Sequence, residues 1–193
     1  MKYSDWKDWL NAGLYFLVML FALLGHSFGE EQELTAQDIK VIHNINQRLK
    51  GTPLDNYGAV FLAYARAYKQ NPYLSPAISI FETSAGKKCP APYNAFCQKN
   101  KWKDQKKLGK WKKYKSFREA IEHNNKNIQR IWGNYATPEK MTSRRVKYAE
   151  NFREWRRSIK RYMRQMEGGE KNEGTLSETL LKLNRSGFAF PDT

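Results

Sequence analysis

One carboxylate closes an otherwise apolar stretch, and its position suggests acid–base chemistry. In the segment Ser75-Pro-Ala-Ile-Ser-Ile-Phe-Glu-Thr-Ser-Ala-Gly86, small polar residues follow Glu82 directly. Ser75 and Pro76 are typical of an N-cap and a first helical residue. The apolar residues then recur at the spacing of a buried helical stripe: Ala77, Ile78, Phe81 and Ala85. We expect Glu82 to lie beside this packed face, where desolvation raises its pKa and keeps a proton ready for donation. The alternative is a Glu82 that faces solvent.

Several short motifs resemble, in their order, the glucosaminidase and lytic transglycosylase branch of the lysozyme-like superfamily, which acts on peptidoglycan. The central motifs are Asn71-Pro72, Glu82-Thr-Ser-Ala-Gly86 and Asn94-Ala-Phe96. The resemblance spans roughly residues 52 to 166, and its outer parts are Tyr57-Gly58, Phe61-Leu-Ala-Tyr-Ala65, Tyr114-Lys-Ser-Phe117, Ala120-Ile121, Thr137-Pro-Glu139, Tyr148-Ala149 and Trp155. It implies a mainly α-helical, lysozyme-like catalytic domain.

The resemblance also implies roles for individual residues. Glu82 matches the general acid that protonates the bridging oxygen of a β-1,4 glycosidic bond as an oxocarbenium-like state forms. Ser84, Asn94 and Phe96 match residues of the substrate groove. Tyr148 matches a sugar contact, although it could equally be a core aromatic with its hydroxyl at the surface. No cofactor is implied.

A second catalytic carboxylate is harder to find in the sequence. Between Thr83 and Pro138 the acids are Asp104, Glu119 and Glu122. Glu119 fits the capping box Ser116-Phe-Arg-Glu119, so we expect it to cap a helix. None of the three lies in a persuasive motif, and Asp104 is the fallback candidate for a base. Otherwise the N-acetyl group or a hydroxyl of the substrate attacks the sugar carbon, as the resemblance to transglycosylases allows.

The family usually places glycine after its Asn-x-aromatic motif, and Cys97 stands there in this chain. Cys89 and Cys97 flank a short, proline-containing loop. Outside the cytoplasm they would most simply form one disulfide. The three histidines lack ligand spacing, so no metal site is expected, and His43 and His123 are interpreted as surface or helix-face residues.

Residues 9–29 carry no Asp, Glu, Lys or Arg, and this length just suffices to cross a bilayer. Basic residues precede the segment and acidic residues follow it, which favours a cytoplasmic N-terminus and an exported domain. Small residues at 27–29 would also suit a cleaved signal peptide. We therefore expect a single-pass protein of the cytoplasmic membrane that faces the periplasm or cell exterior, or a secreted protein if the segment is cleaved.

Helical periodicity and capping signals divide the rest of the chain. We predict a linker helix within residues 30–51, which starts at a capping box from Thr35 to Asp38. A catalytic domain over 52–167 follows, with helices at about 54–69, 75–85, 117–133 and 152–166, and then a flexible tail over 168–193. A short helix is expected to begin at Thr137-Pro138. Residues 99–115 break the helical pattern and are predicted to be a short β-hairpin or a mobile loop.

The formal net charge is +15, and residues 87–164 hold 24 Lys and Arg against 6 Asp and Glu. Such an excess suggests a polyanionic partner. Peptidoglycan strands, anionic cell-wall polymers and lipid headgroups suit an exported domain, whereas nucleic acid fits the alternation of Lys and Trp but not the expected location. The resemblance implies a peptidoglycan hydrolase. The alternative is a membrane-anchored adaptor that binds glycan or another polyanion without catalysis.

Overall fold

The computed structural model describes residues 34–143 and 151–168, and within these ranges the chain is helical with no β-sheet. This confirms a mainly α fold. The helices are α1 (Ala36–Leu49), α2 (Gly58–Ala67), α3 (Leu74–Thr83), α4 (Trp102–Leu108), α5 (Phe117–Trp132), α6 (Pro138–Ser143) and α7 (Phe152–Gly168).

Helix α1 begins at the capping box expected from the sequence. The hydroxyl of Thr35 accepts a hydrogen bond from Asp38 N, and the Asp38 carboxylate accepts one from Thr35 N. The buried face of α1 then packs on α2. Gly58 permits this approach, because a Cβ atom there would lie 2.5 Å from the carbonyl oxygen of Ile42. The Gly58 amide instead donates to Asn46 Oδ1 at 2.7 Å.

Helix α3 carries Glu82 near its end, and every residue from Leu74 to Ser79 is buried. It begins one residue before Ser75, so the predicted N-cap at Ser75 was wrong. Ser75 Oγ instead accepts a hydrogen bond from Asn124 Nδ2 in α5 at 3.0 Å. This contact joins residues 49 positions apart, so no local signal could reveal it.

Helices α5 and α7 flank α3 and complete the core around it. Ser116 caps α5 by accepting from Glu119 N, while Glu119 accepts from Lys115 N at 2.7 Å. Helix α7 places Trp155 and Ile159 in the core, both fully buried. The helix predicted at about 152–166 is therefore confirmed.

The basic segment at 99–115, hereafter the lysine-rich wall, is neither of the predicted forms. One antiparallel bridge between Lys99 and Trp111 closes it, and α4 occupies its centre. The Asn100 side chain fastens the closure by donating to the carbonyl oxygens of Gly109 at 2.9 Å and Trp111 at 3.2 Å. The Asn100 side chain thus supplies hydrogen bonds that the backbone of two paired strands would supply in a hairpin.

Three predictions lie outside the described residues: the membrane or signal segment at 1–29, Tyr148, and almost all of the tail at 168–193. Within the described ranges, no helix has the length and apolar character needed to span a bilayer.

Candidate active site

Glu82 lies in the last turn of α3, at the edge of the apolar core. Burial raises the pKa of its carboxyl group. The side chains of Trp155 and Cys97, which lie beside the carboxyl group, act in the opposite direction and favour its charged form. Burial has the larger effect, so the pKa of Glu82 is raised, in the direction expected from the sequence. Such a carboxyl group suits the role of a general acid.

Glu82 also lines a cleft of about 940 Å³. Apolar and aromatic groups form part of its lining, including Phe96, Trp111, Ile128 and Trp132, and amides such as Asn127 contribute polar groups. Aromatic faces next to hydrogen-bonding groups are typical of sites that hold sugar rings. The volume falls within the usual range for small-ligand sites.

The turn after Glu82 is locked by Thr83, which is fully buried. The Thr83 hydroxyl donates to the carbonyl oxygen of Ala95 at 2.9 Å and accepts from the amide of Gly86 at 2.9 Å. Ser84 and Ala85 both have positive φ, so the chain reverses sharply here. Ser84 is exposed as the C-cap of α3 and is not among the residues that line the cleft. The structure therefore gives Ser84 no place in the cleft.

Phe96 lines the cleft, whereas Asn94 does not. The Asn94 side chain has no exposed surface. Its Nδ2 donates to the carbonyl oxygens of Gln98 at 2.8 Å and Lys112 at 2.9 Å, and its Oδ1 accepts from Gln98 N at 2.8 Å. Asn94 thus ties the loop after α3 to the lysine-rich wall and shapes the cleft from behind.

Cys97 has a φ of 49°, in the left-handed region that favours glycine. Glycine would adopt this conformation at lower steric cost than cysteine. The Cys97 thiol donates to the carbonyl oxygen of Glu82 at 3.5 Å. Burial and the neighbouring Glu82 charge raise its pKa to about 11, so the thiol stays protonated.

The expected disulfide between Cys89 and Cys97 is not formed in the structure, where both are free thiols. Cys89 Sγ donates to the carbonyl oxygen of Gly86 at 3.3 Å, so each thiol has a backbone partner of its own.

Two of the residues lining the cleft have roles that sequence reasoning missed. His123 lies on α5, lines the cleft and is about half-buried, in agreement with the helix-face alternative. Gln98 connects it to Tyr114 and to Asn124 through its side-chain amide. These contacts join different parts of the chain, and a lone histidine without ligand spacing gives no sequence signal for them.

Asp104 lines the same cleft as Glu82 and is partly exposed. It lies in the first turn of α4, within the lysine-rich wall. The described residues contain no group of three or more His, Cys, Asp or Glu side chains suited to hold a metal ion.

A scan of the chain against protein-family models gives no match. A search of curated proteins likewise finds no significant match. The relation to the lysozyme-like superfamily therefore rests on the motifs and on the geometry around Glu82, and it remains a prediction.

Proposed function

We propose that this protein is a peptidoglycan hydrolase of the lysozyme-like superfamily that cleaves β-1,4 glycosidic bonds with Glu82 as the general acid. One observation carries the proposal: a carboxyl group whose pKa burial raises lies at the end of a buried helix and lines a cleft of about 940 Å³. A carboxyl group exposed to bulk water would lack both properties.

In the proposed reaction, Glu82 donates its proton to the bridging oxygen as the bond to the sugar carbon breaks. The alcohol leaves neutral, and positive charge develops on the sugar ring. The Glu82 carboxylate formed in this step can accept hydrogen bonds from Trp155 and Cys97, which favour the charged form. The same side chains therefore support the carboxyl group after it has given up its proton.

The group that completes the reaction is one of two. Asp104 lines the cleft and could take a proton from an attacking water, which would leave a reducing sugar. Alternatively, a substrate group attacks the sugar carbon, and a sugar hydroxyl in this role leaves an anhydro product. Mass spectrometry of the fragments separates an anhydro product from a hydrated one, because the two differ by one water.

The decisive experiment compares the purified full-length protein with its Glu82→Gln variant on suspensions of bacterial cell wall. We expect the parent protein to lower the turbidity and the variant to lose at least about a hundredfold in rate, since general acid catalysis contributes 10²–10⁴-fold. Glu167→Gln, an identical change at an exposed position on α7, is the matched control and should clear the wall normally. Equal clearing by Glu82→Gln would refute the assignment of the acid.

A non-catalytic adaptor is the second candidate, and the charge distribution favours it. Residues 87–164 carry an excess of 18 positive charges, from 24 Lys and Arg less 6 Asp and Glu. An adaptor would bind cell walls without clearing them, whether or not Glu82 is present. Measurement of wall sedimentation and turbidity on the same samples therefore separates the two candidates.

Nucleic acid is the remaining polyanion that the charge could serve. Such a role predicts tight binding to single strands that weakens steeply with salt, and a gel-shift titration would reveal it.

A further inference from the structure

One lysine of the cleft is held in place by neutral partners. Lys112 Nζ lies 2.6 Å from His123 Nε2 and 5.5 Å from the centre of the Tyr114 ring. Burial, together with the nearby Lys112 and Arg130 charges, lowers the pKa of His123 to about 4, so this imidazole is neutral near pH 7. Since a lysine ammonium can only donate, His123 accepts through Nε2 and carries its proton on Nδ1. Burial lowers the pKa of the Lys112 ammonium, and a neutral imidazole, unlike a carboxylate, does not offset its charge.

A chain of amides fixes this imidazole. His123 Nδ1 donates to Gln98 Oε1, which also accepts from the Tyr114 hydroxyl at 2.7 Å. Gln98 Nε2 then donates to Asn124 Oδ1 at 3.1 Å, and Asn124 bonds Ser75 in α3. The network thus connects Lys112 to the helix that carries Glu82. The ammonium is oriented before any ligand arrives.

The charges around Lys112 leave the cleft electropositive. Lys99, Lys101 and Arg130 also line it, against the carboxyl groups of Glu82 and Asp104. Glu119, outside the lining, is close enough to influence Lys112 but forms no ion pair with it. The two ion pairs found among residues 34–143 and 151–168 are Arg66–Asp38 and Lys160–Glu139, neither of which uses a cation of the cleft.

We propose that Lys112, positioned by His123, forms a subsite for a carboxylate carried by the substrate glycan. This inference rests on the proposed glycan-cleaving function and adds a preference for acidic over neutral sugars. A pre-oriented ammonium in a partly desolvated cleft binds a carboxylate more strongly than a surface lysine, because less water screens the pair. In a cell-wall strand, the carboxylate could belong to the sugar itself or to an attached peptide.

Calorimetry on the full-length Glu82→Gln protein tests the subsite without consuming the ligand. One tetrasaccharide contains N-acetylglucosamine alone, and a second alternates it with N-acetylmuramic acid, which bears a free carboxylate. We expect the acidic tetrasaccharide to bind about tenfold more tightly, as one charge-assisted hydrogen bond allows. A third ligand, with a peptide amide-linked to each muramic acid, shows whether the sugar or the peptide supplies the carboxylate.

Lys112→Gln should abolish this preference and leave the affinity for the neutral ligand unchanged. Lys113→Gln is the matched control, because its side chain is exposed and does not line the cleft. If both lysine variants reduce acidic binding equally, diffuse surface charge explains the preference and the subsite is wrong. If the parent protein binds the neutral and the acidic tetrasaccharide with equal affinity, the proposed subsite is wrong, but the proposed glycan-cleaving function is not contradicted. If no tetrasaccharide binds, the proposed glycan function fails with it.

His123 acts through Lys112, so a conservative replacement should rescue the preference. We expect His123→Gln, which keeps an acceptor and a donor, to retain most of the preference for the acidic ligand. His123→Leu should lose it while still binding the neutral ligand, which shows that the variant is folded. Loss of neutral binding in both variants would mean that His123 merely supports the fold, and its positioning role would be wrong.

Discussion

The cleft has two sides that differ in how they are built. On one side, α3 and α7 bring Glu82 against the fully buried Trp155, in surroundings dominated by apolar packing. On the other side, the lysine-rich wall is largely exposed and is closed by one backbone bridge and by side-chain amides. The first side alters the acidity of one group. The second presents many exposed cations, together with the partly buried Lys112.

This difference indicates that one side of the cleft serves proton donation in the proposed reaction and the other serves substrate recognition. A proton donor requires low polarity around it, and a packed helix end supplies that. Recognition of an anionic polymer requires accessible cations, which a packed core cannot contain at acceptable energetic cost. Amides that join the two sides, above all Asn94, let a rigid core hold a polar wall at a fixed distance.

The largest expected effect comes from cutting that connection. Asn94→Ala removes three hydrogen bonds and takes these partners from two partly buried backbone groups, the Gln98 amide and the Lys112 carbonyl oxygen. The Gln98 carbonyl oxygen still accepts from Lys112 N. We expect the free energy of unfolding to fall by about 3 kcal/mol, because each unsatisfied buried group costs about 1–3 kcal/mol and the losses partly overlap. Denaturant titration followed by tryptophan fluorescence measures this.

Asn100→Ala is the control for that experiment. Like Asn94, Asn100 bonds two backbone carbonyl oxygens through Nδ2, but it does so at a more exposed position. Water can replace its hydrogen bonds, so we expect a loss of less than about 1 kcal/mol. Similar losses from both substitutions would show that burial does not distinguish the two sides.

The sequence was informative where structure depends on neighbouring residues. The periodic apolar stripes and the signals at Thr35 and Ser116 predicted the helices well, because caps and stripes involve contacts within a few positions. The placement of Glu82 beside the core followed from the same logic. The lysine-rich wall shows neither the helical nor the strand period of apolar residues, so its central helix was missed.

The sequence was uninformative where distant residues meet. The contact between His123 and Gln98 spans 25 positions, and that between Asn124 and Ser75 spans 49. Nothing near either residue indicates its partner. Asn94 was assigned to the cleft wall from a motif, but the motif cannot distinguish a residue that touches a ligand from one that supports the wall.

The next prediction concerns the loss of folding stability that results from burying the Glu82 carboxylate. Because the pKa of Glu82 is higher in the folded protein than in the unfolded chain, folding is favoured at low pH, and this stability is lost as pH rises through the folded pKa. Glutamine has no charge to bury. Glu82→Gln should therefore stabilise the protein at pH 8 relative to the parent, by about 1.4 kcal/mol for each unit by which the pKa is raised.

Unfolding curves at pH 4 and pH 8 test this expectation. The advantage of the variant should be small at pH 4, where Glu82 is protonated in the folded state. Glu167→Gln should show no such dependence, because that side chain is exposed. A stability difference that is the same at both pH values would mean that burial does not penalise the charged form of Glu82.

The smallest effect distinguishes the two cysteines on the packed side. The Cys97 thiol donates to the backbone carbonyl oxygen of Glu82 and lies close enough to the Glu82 carboxyl group to lower its pKa. The Cys89 thiol instead donates to the carbonyl oxygen of Gly86. With a pKa of about 11, the Cys97 thiol stays a donor throughout the titration of Glu82. Cys97→Ala should therefore raise the pKa of Glu82, by less than about one unit for a single neutral donor.

Titration of the Glu82 carboxyl carbon by NMR measures this shift directly and does not depend on activity. Cys89→Ala should leave the titration midpoint unchanged. A midpoint that moves to lower pH in Cys97→Ala would mean that water entering the space left by the thiol stabilises the carboxylate better than the thiol did. Burial by the loop at Cys97, rather than by the helices alone, would then set the acidity of Glu82.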